Sequence, residues 1–170
     1  PLPPARSGAL KSDTMFVTGP IGNGWAGLQL LKAGKTAPLS LIRAYRRPVA
    51  LVAEGRALAQ VAHAMMDVSD GLLIDAARMA KASGLGIEID LAAVPLSADF
   101  VSAFGDDQAM RLAACTGGDD YQLLFAVDAN AHLPISAHPV GRFNAGSGLT
   151  LRWQGAPIPL PDRLGWLHSV

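Results

Sequence analysis

The sequence predicts an α+β fold, an antiparallel or mixed sheet covered by helices. Three observations carry that expectation. Runs such as Leu85-Gly86-Ile87-Glu88-Ile89-Asp90-Leu91 alternate apolar and polar residues, as a half-buried strand does. Runs such as Leu72, Leu73, Ala76, Met79 and Ala80 recur at helical spacing. The strand-like runs are spaced too irregularly for repeated parallel crossover units.

Composition narrows the function classes. The chain has 170 residues, half of them hydrophobic, which suffices for a packed core. Fourteen basic residues balance fourteen acidic ones, so no broad electrostatic footprint favours nucleic acid or an anionic membrane. A small neutral-to-anionic ligand fits better. Cys115 is the only cysteine, which excludes an internal disulfide framework and a cysteine-rich zinc site and suits a reducing compartment. It is read as a buried small hydrophobe. No apolar run is long enough to span a bilayer and the first residues form no signal peptide, so a cytoplasmic location is expected. The opening Pro1-Leu2-Pro3-Pro4 lacks an initiator Met and reads as a cut end.

In chain order, Thr14 to Gly19 is a short strand already followed by a glycine turn. Gly19-Pro20-Ile21-Gly22-Asn23-Gly24 then leads into a helix from Trp25 to Lys32. Strand, glycine turn and helix form a phosphate-cradle pattern, with Gly22 and Asn23 as candidate nucleotide contacts. Without Gly-Lys-Ser/Thr this is not a Walker loop, and a tight strand-to-helix connection is the alternative. Ser40 to Pro48 sets three arginines beside a tyrosine, either to bind anions or as a solvated face, and Pro48 breaks any helix. Val52 to Ala62 has helical spacing. His63 is read as a capping or surface residue, since no second histidine stands at a metal spacing.

Met66-Asp67-Val68-Ser69-Asp70-Gly71-Leu72 puts two carboxylates and a hydroxyl where a buried extended segment gives way to a helix. Ser69 or Asp70 is the natural N-cap. A helix start offers unpaired N–H groups and a positive dipole end to phosphate oxygens, and Asp67 and Asp70 would be hard oxygen ligands for Mg²⁺. A plain helix cap is the competing reading. Beyond the strand at 85–91, with Glu88 and Asp90 facing solvent, Ser97 to Ala114 reads as two short helices divided at Gly105-Asp106-Asp107. In Thr116-Gly117-Gly118-Asp119-Asp120-Tyr121 two glycines and two aspartates precede a strong strand, placing the acids at its mouth for a ligand or merely in a turn. The remainder reads as short strands and turns, ending at Gly165-Trp166-Leu167-His168.

Together these runs resemble the thiamine-monophosphate kinase family. The likeness rests on Asp67-Val68-Ser69-Asp70-Gly71-Leu72 with Asp75, on Gly117 to Phe125, and on Gly165 to His168. Arg6-Ser7-Gly8-Ala9, Val17-Thr18-Gly19 and Tyr45-Arg46-Arg47-Pro48 add to it. The resemblance implies ATP-dependent phosphorylation of thiamine monophosphate to thiamine diphosphate, with Mg²⁺ and direct transfer. It also implies an N-terminal ATP-binding domain, of which residues 1–40 would be the tail, and a C-terminal α+β domain at residues 41–170. Carried over residue by residue, Asp67 and Asp70 would ligate magnesium, with Asn23 standing where the family usually has a metal-binding aspartate. Ser69 and Arg6 would meet ATP, and Asp119 with Trp166 would hold the thiamine phosphate. Trp166 replaces an expected tyrosine and keeps an aromatic surface.

Asn23 can coordinate through oxygen but brings no charge, so metal affinity there should fall. The acidic N-terminal motifs of the family are absent, so the chain alone is expected to be a fragment that can be inactive. Val17, Trp25, Leu28 and Leu31 are then expected to present exposed apolar faces or meet another chain, the intact protein being a homodimer. Two other readings stay open: another ATP-dependent synthetase of the wider superfamily, which includes aminoimidazole ribonucleotide and selenophosphate synthetases, or a non-catalytic binding domain.

Overall fold

A computed structural model of the chain describes residues 3–167, over which seven strands build one sheet with six α-helices against it. In chain order the elements are β1 (Thr14–Val17), α1 (Asn23–Lys32), α2 (Leu39–Arg46), α3 (Val52–Leu58), β2 (Ala64–Asp67), α4 (Leu72–Ala82) and β3 (Gly86–Asp90). They continue with α5 (Ala98–Phe104), α6 (Gln108–Gly117), β4 (Leu123–Val127), β5 (His138–Asn144), β6 (Gly148–Trp153) and β7 (Ala156–Ile158). The strands lie in the order β2-β4-β1-β5-β3-β6-β7. Every neighbouring pair is antiparallel except β3 with β6. The sheet is therefore mixed and the fold α+β, as the irregular strand spacing predicts.

Strand alternation divides the core between the two faces of the sheet. Met15 and Val17 of β1 and Leu124 and Ala126 of β4 point into the main core, under Leu72, Leu73, Ala76, Met79 and Ala80 of α4. Phe125 and Val127 point to the other face, where Leu58 and Phe16 meet them. The Phe16 and Phe125 rings stack with centroids 5.6 Å apart. A third cluster joins Ala26 and Leu30 of α1, Leu41 and Ile42 of α2, Phe100 and Ala114.

Burial on both faces explains why β4 is an unbroken apolar run, whereas β3 alternates. Ile87 and Ile89 are buried, and Glu88 stays half-exposed, 3.7 Å from Arg152.

Several expectations are corrected. Val17 is fully buried in a strand near the middle of the sheet, paired on both sides, and Trp25, Leu28 and Leu31 are partly buried. Trp25 packs against Phe100 and Phe104. β1 and α1 share their cores with elements beyond residue 40. The helix expected over 52–62 ends at Leu58, and α6 runs on through Gly117 instead of stopping at Ala114. His63 is an exposed surface residue, as expected, and its Nδ1 lies 2.9 Å from the buried Asp13 carboxylate, which also accepts from the Leu10 amide. Of the closing run, His168 lies outside the described residues.

Since Phe125 is fully buried and stacked on Phe16, Phe125→Ala should destabilise the fold by about 3–5 kcal/mol. Urea titration would read this as a lower midpoint, and a loss below about 1 kcal/mol would contradict the two-faced core.

Candidate functional site

The Asp67 motif and the Gly117 run are sewn together by backbone hydrogen bonds. The Val68 amide donates to the Gln122 carbonyl at 2.8 Å, the Tyr121 amide to Val68 at 2.8 Å, and the Asp119 amide to Ser69 at 2.9 Å. The approach is close enough to require Gly118. Its φ is +73°, and a Cβ there would stand 2.7 Å from the Ser69 carbonyl oxygen. Asp119 and Tyr121 also take positive φ, 61° and 52°, which is costly for non-glycine residues and is held by the surrounding bonds. The C-terminal segment joins the same point, where the Trp166 amide donates to the Asp70 carbonyl at 2.8 Å.

A cavity of 390 Å³ opens at this junction, lined by Leu28, Ser69, Asp70, Gly117, Asp119, Tyr121 and Trp166. It thus collects Ser69, Asp70, Asp119 and Trp166, four of the residues singled out from the sequence. Trp166 is 65% exposed and Tyr121 38%, so two aromatic side chains stand open beside two carboxylates. The Tyr121 hydroxyl lies 3.4 Å from Asp119 Oδ1. Burial, followed by the charges of Asp119, Asp67 and Asp70, raises the Tyr121 pKa and keeps the phenol protonated. Such a rim suits a flat ring carrying positive charge.

The cap of α4 differs from expectation. Gly71, with φ 127°, is its N-cap, and neither Ser69 nor Asp70 caps the helix with a side chain. Asp75 in the first turn reaches back instead, and its Oδ2 accepts from the Ser69 and Asp70 amides, both at 3.1 Å. Reach-back by a first-turn acid is the logic of a capping box. Asp75 is 0% exposed, and its Oδ1 takes Arg78 Nη1 at 2.8 Å. Desolvation raises the Asp75 pKa against these bonds. The same Arg78 atom lies 2.5 Å from Asp70 Oδ2.

The glycine turn before α1 is occupied from within the chain. Gly22 and Gly24 donate their amides to Asp120 Oδ2 and Oδ1, at 2.8 and 3.1 Å. The start of α1 therefore already holds a carboxylate, which corrects the phosphate-cradle geometry expected for Gly22. Asn23 lies apart from Asp70: its Oδ1 accepts from the Ser97 hydroxyl at 2.7 Å, and it lines a second cavity with Arg43, Arg47, Asp120 and Gln122. Asn23 thus lines a different cavity from Asp70, with which it was expected to share a metal. Among the described residues no group of three or more His, Cys, Asp or Glu could hold a metal ion. Exposed Asp67 and cavity-lining Asp70 still fit Mg²⁺ of the kind that takes one or two protein carboxylates and completes its shell with water and substrate phosphates. Arg6 is exposed on the segment beside β2, where the Ala5 carbonyl accepts from Met65, and it does not line the first cavity.

Asp120, which the sequence placed with Asp119 at the strand mouth for a ligand or in a turn, ties down the start of α1, and Arg78 and Tyr121 had no role from the sequence. Arg78 stands three residues after Asp75, a spacing that brings helical side chains together, and is the one partner that sequence could have suggested.

Residues 11–154 match the family described as AIR synthase related protein, C-terminal domain. The chain is 38% identical over 179 residues to a thiamine-monophosphate kinase of Caulobacter vibrioides, covering 96% of this chain and 50% of that protein. With the Salmonella typhimurium enzyme of the same name it is 39% identical over 178 residues, covering 96% and 54%. A solved structure of AaThiL complexed with AMPPCP and TMP superposes with a TM-score of 0.81 at 33% identity, covering 96% of this chain and 54% of that one. The chain spans about half the length of the curated relatives it matches.

Burial, outweighing the Gly22 and Gly24 amides, pushes the Asp120 pKa from 3.8 up to about 7. The folded state thus binds the proton more tightly than the unfolded state. This contribution to stability is full below about pH 4 and is lost as pH rises through about 7. Denaturant stability of the wild type minus that of Asp120→Asn should therefore fall between pH 4 and 8, and parallel curves would contradict the assignment.

Proposed function

Because the chain belongs to the family of AIR synthase related proteins through their C-terminal domain, we propose that it is part of an ATP-dependent kinase that phosphorylates thiamine monophosphate to thiamine diphosphate. The observation that carries this reading is the convergence of Ser69, Asp70, Asp119, Tyr121 and Trp166 on one cavity. Identity of 38–39% to named thiamine-monophosphate kinases supports the same acceptor.

In this reading the thiamine ring system, which carries a positive charge, lies against Trp166 beside Asp119, where ring stacking and charge attraction act together. Ser69 meets ATP, and Arg6 bonds its phosphates. Asp67 and Asp70 hold Mg²⁺, which when bound neutralises charge on the phosphates. Transfer is direct. The only thiol, Cys115, is fully buried and burial pushes its pKa up, so it offers no nucleophile for a covalent intermediate. Catalysis then rests on positioning and electrostatics, to which the remainder of a protein about twice this length would contribute. No helix among the described residues is long and apolar enough to cross a membrane. A cytoplasmic homodimer acting on small molecules is the form we propose.

Substitutions at two positions in the full-length protein separate this reading from its alternatives. Asp67→Asn should lower thiamine diphosphate formation by about a hundredfold and raise the magnesium requirement, with the melting temperature nearly unchanged because Asp67 is exposed. Unaltered kinetics over a magnesium titration would remove the metal role.

Trp166→Ala should raise KM for thiamine monophosphate by about tenfold, and Trp166→Phe should restore much of it. A wild-type protein that phosphorylates another acceptor would favour a different synthetase, and one that binds without turnover would favour a binding domain.

A further inference from the structure

We propose that Arg78 is a positioning residue for the divalent cation: held by buried Asp75, its guanidinium sets the orientation of the Asp70 carboxylate at the cavity rim. The inference rests on the kinase reading above and adds a residue that this reading does not use.

Four bonds define the device. Asp75 Oδ2 takes the Ser69 and Asp70 amides, so it fixes the backbone that carries both side chains. Asp75 Oδ1 takes Arg78 Nη1 at 2.8 Å, and that nitrogen also lies 2.5 Å from Asp70 Oδ2. One buried carboxylate thereby determines where the loop runs and, through Arg78, how the side chain of Asp70 is turned. Asp75 is the rigid end, being wholly excluded from water on the first turn of α4, between buried Ile74 and Ala76. Arg78 is the outer end, 35% exposed. The bonds to Asp70 and Asp75 raise its pKa further, and the guanidinium remains charged throughout.

A purely structural ion pair would need only the contact between Arg78 and Asp75, which lie three residues apart on one helix face. The reach to Asp70, eight residues back and outside the helix, adds nothing to helix formation and acts on a carboxylate that lines the cavity. Partners that orient a ligating carboxylate in this way typically change metal affinity by about 10–100-fold when removed.

The test uses full-length protein with Arg78→Gln and Arg78→Lys. The melting temperature is followed over a magnesium titration in the presence of AMPPCP, alongside steady-state kinetics with thiamine monophosphate. Arg78→Gln should raise the magnesium midpoint by about tenfold or more, while KM for thiamine monophosphate stays within about twofold. Arg78→Lys keeps the charge without the planar fork, so its midpoint should lie between the two. If the Gln variant does not fold, the Lys midpoint decides the matter.

A lowered melting temperature with an unshifted magnesium midpoint in the folded variants would make Arg78 merely structural and overturn the proposal. A wild type that shows no magnesium dependence would overturn the kinase reading and this proposal together. The two failures are thus distinguished by whether the wild type responds.

Discussion

The backbone bonds between residues 68–69 and 119–122 are the constraint on which the rest of the site depends. They continue the β2–β4 ladder past the strand ends, from Asp67 opposite Leu123 to Val68 with Gln122 and then Ser69 with Asp119. A ladder carried into two loops gives them the stiffness of a sheet edge, and stiffness is what a binding constellation needs. The positive φ angles of Asp119 and Tyr121 persist because these bonds over-determine them. Gly118 permits the approach, and the helix starts of α1 and α4 are then held by carboxylates reaching in from nearby.

Those carboxylates show a division of labour among the acids. Asp75 and Asp120 each accept two backbone amides and hold a loop, one under Ser69 and Asp70, the other under Gly22 and Gly24. Burial opposes their ionisation, and amide bonds favour it. Asp70 and Asp119 line the cavity instead and Asp67 is exposed, all three within electrostatic reach of the Tyr121 phenol. Ligand chemistry and scaffold chemistry thus use the same side chain at adjacent positions, most plainly in Asp119 and Asp120. The first lines the cavity and the second is turned away to tie down α1.

Much of the fold was legible because strand and helix periods are local. The alternation at 86–90 and the spacing of Leu72, Ala76 and Met79 each reported a buried face correctly. Boundaries were less legible. The helix from Val52 stops at Leu58, where Ala59 to Val61 turn toward β2, and α6 carries on to Gly117 because that glycine packs against Trp25. Long-range pairing was not legible either: the strand partners of Val17 are Leu124 and His138, more than a hundred residues later.

The sequence by itself determined which elements form and which residue types stand at their ends, since both follow from neighbours within a turn or two of chain. Ser69, Asp70, Asp119 and Trp166 could be singled out on that basis and by resemblance. Tertiary structure alone decided which of these carboxylates, amides and hydroxyls meet. Asp120 is 98 residues from the Gly22 amide it holds, and Ser97 is 74 from Asn23. A polar group takes the partner that burial brings within hydrogen-bond distance, and that choice follows from the packing of the whole sheet.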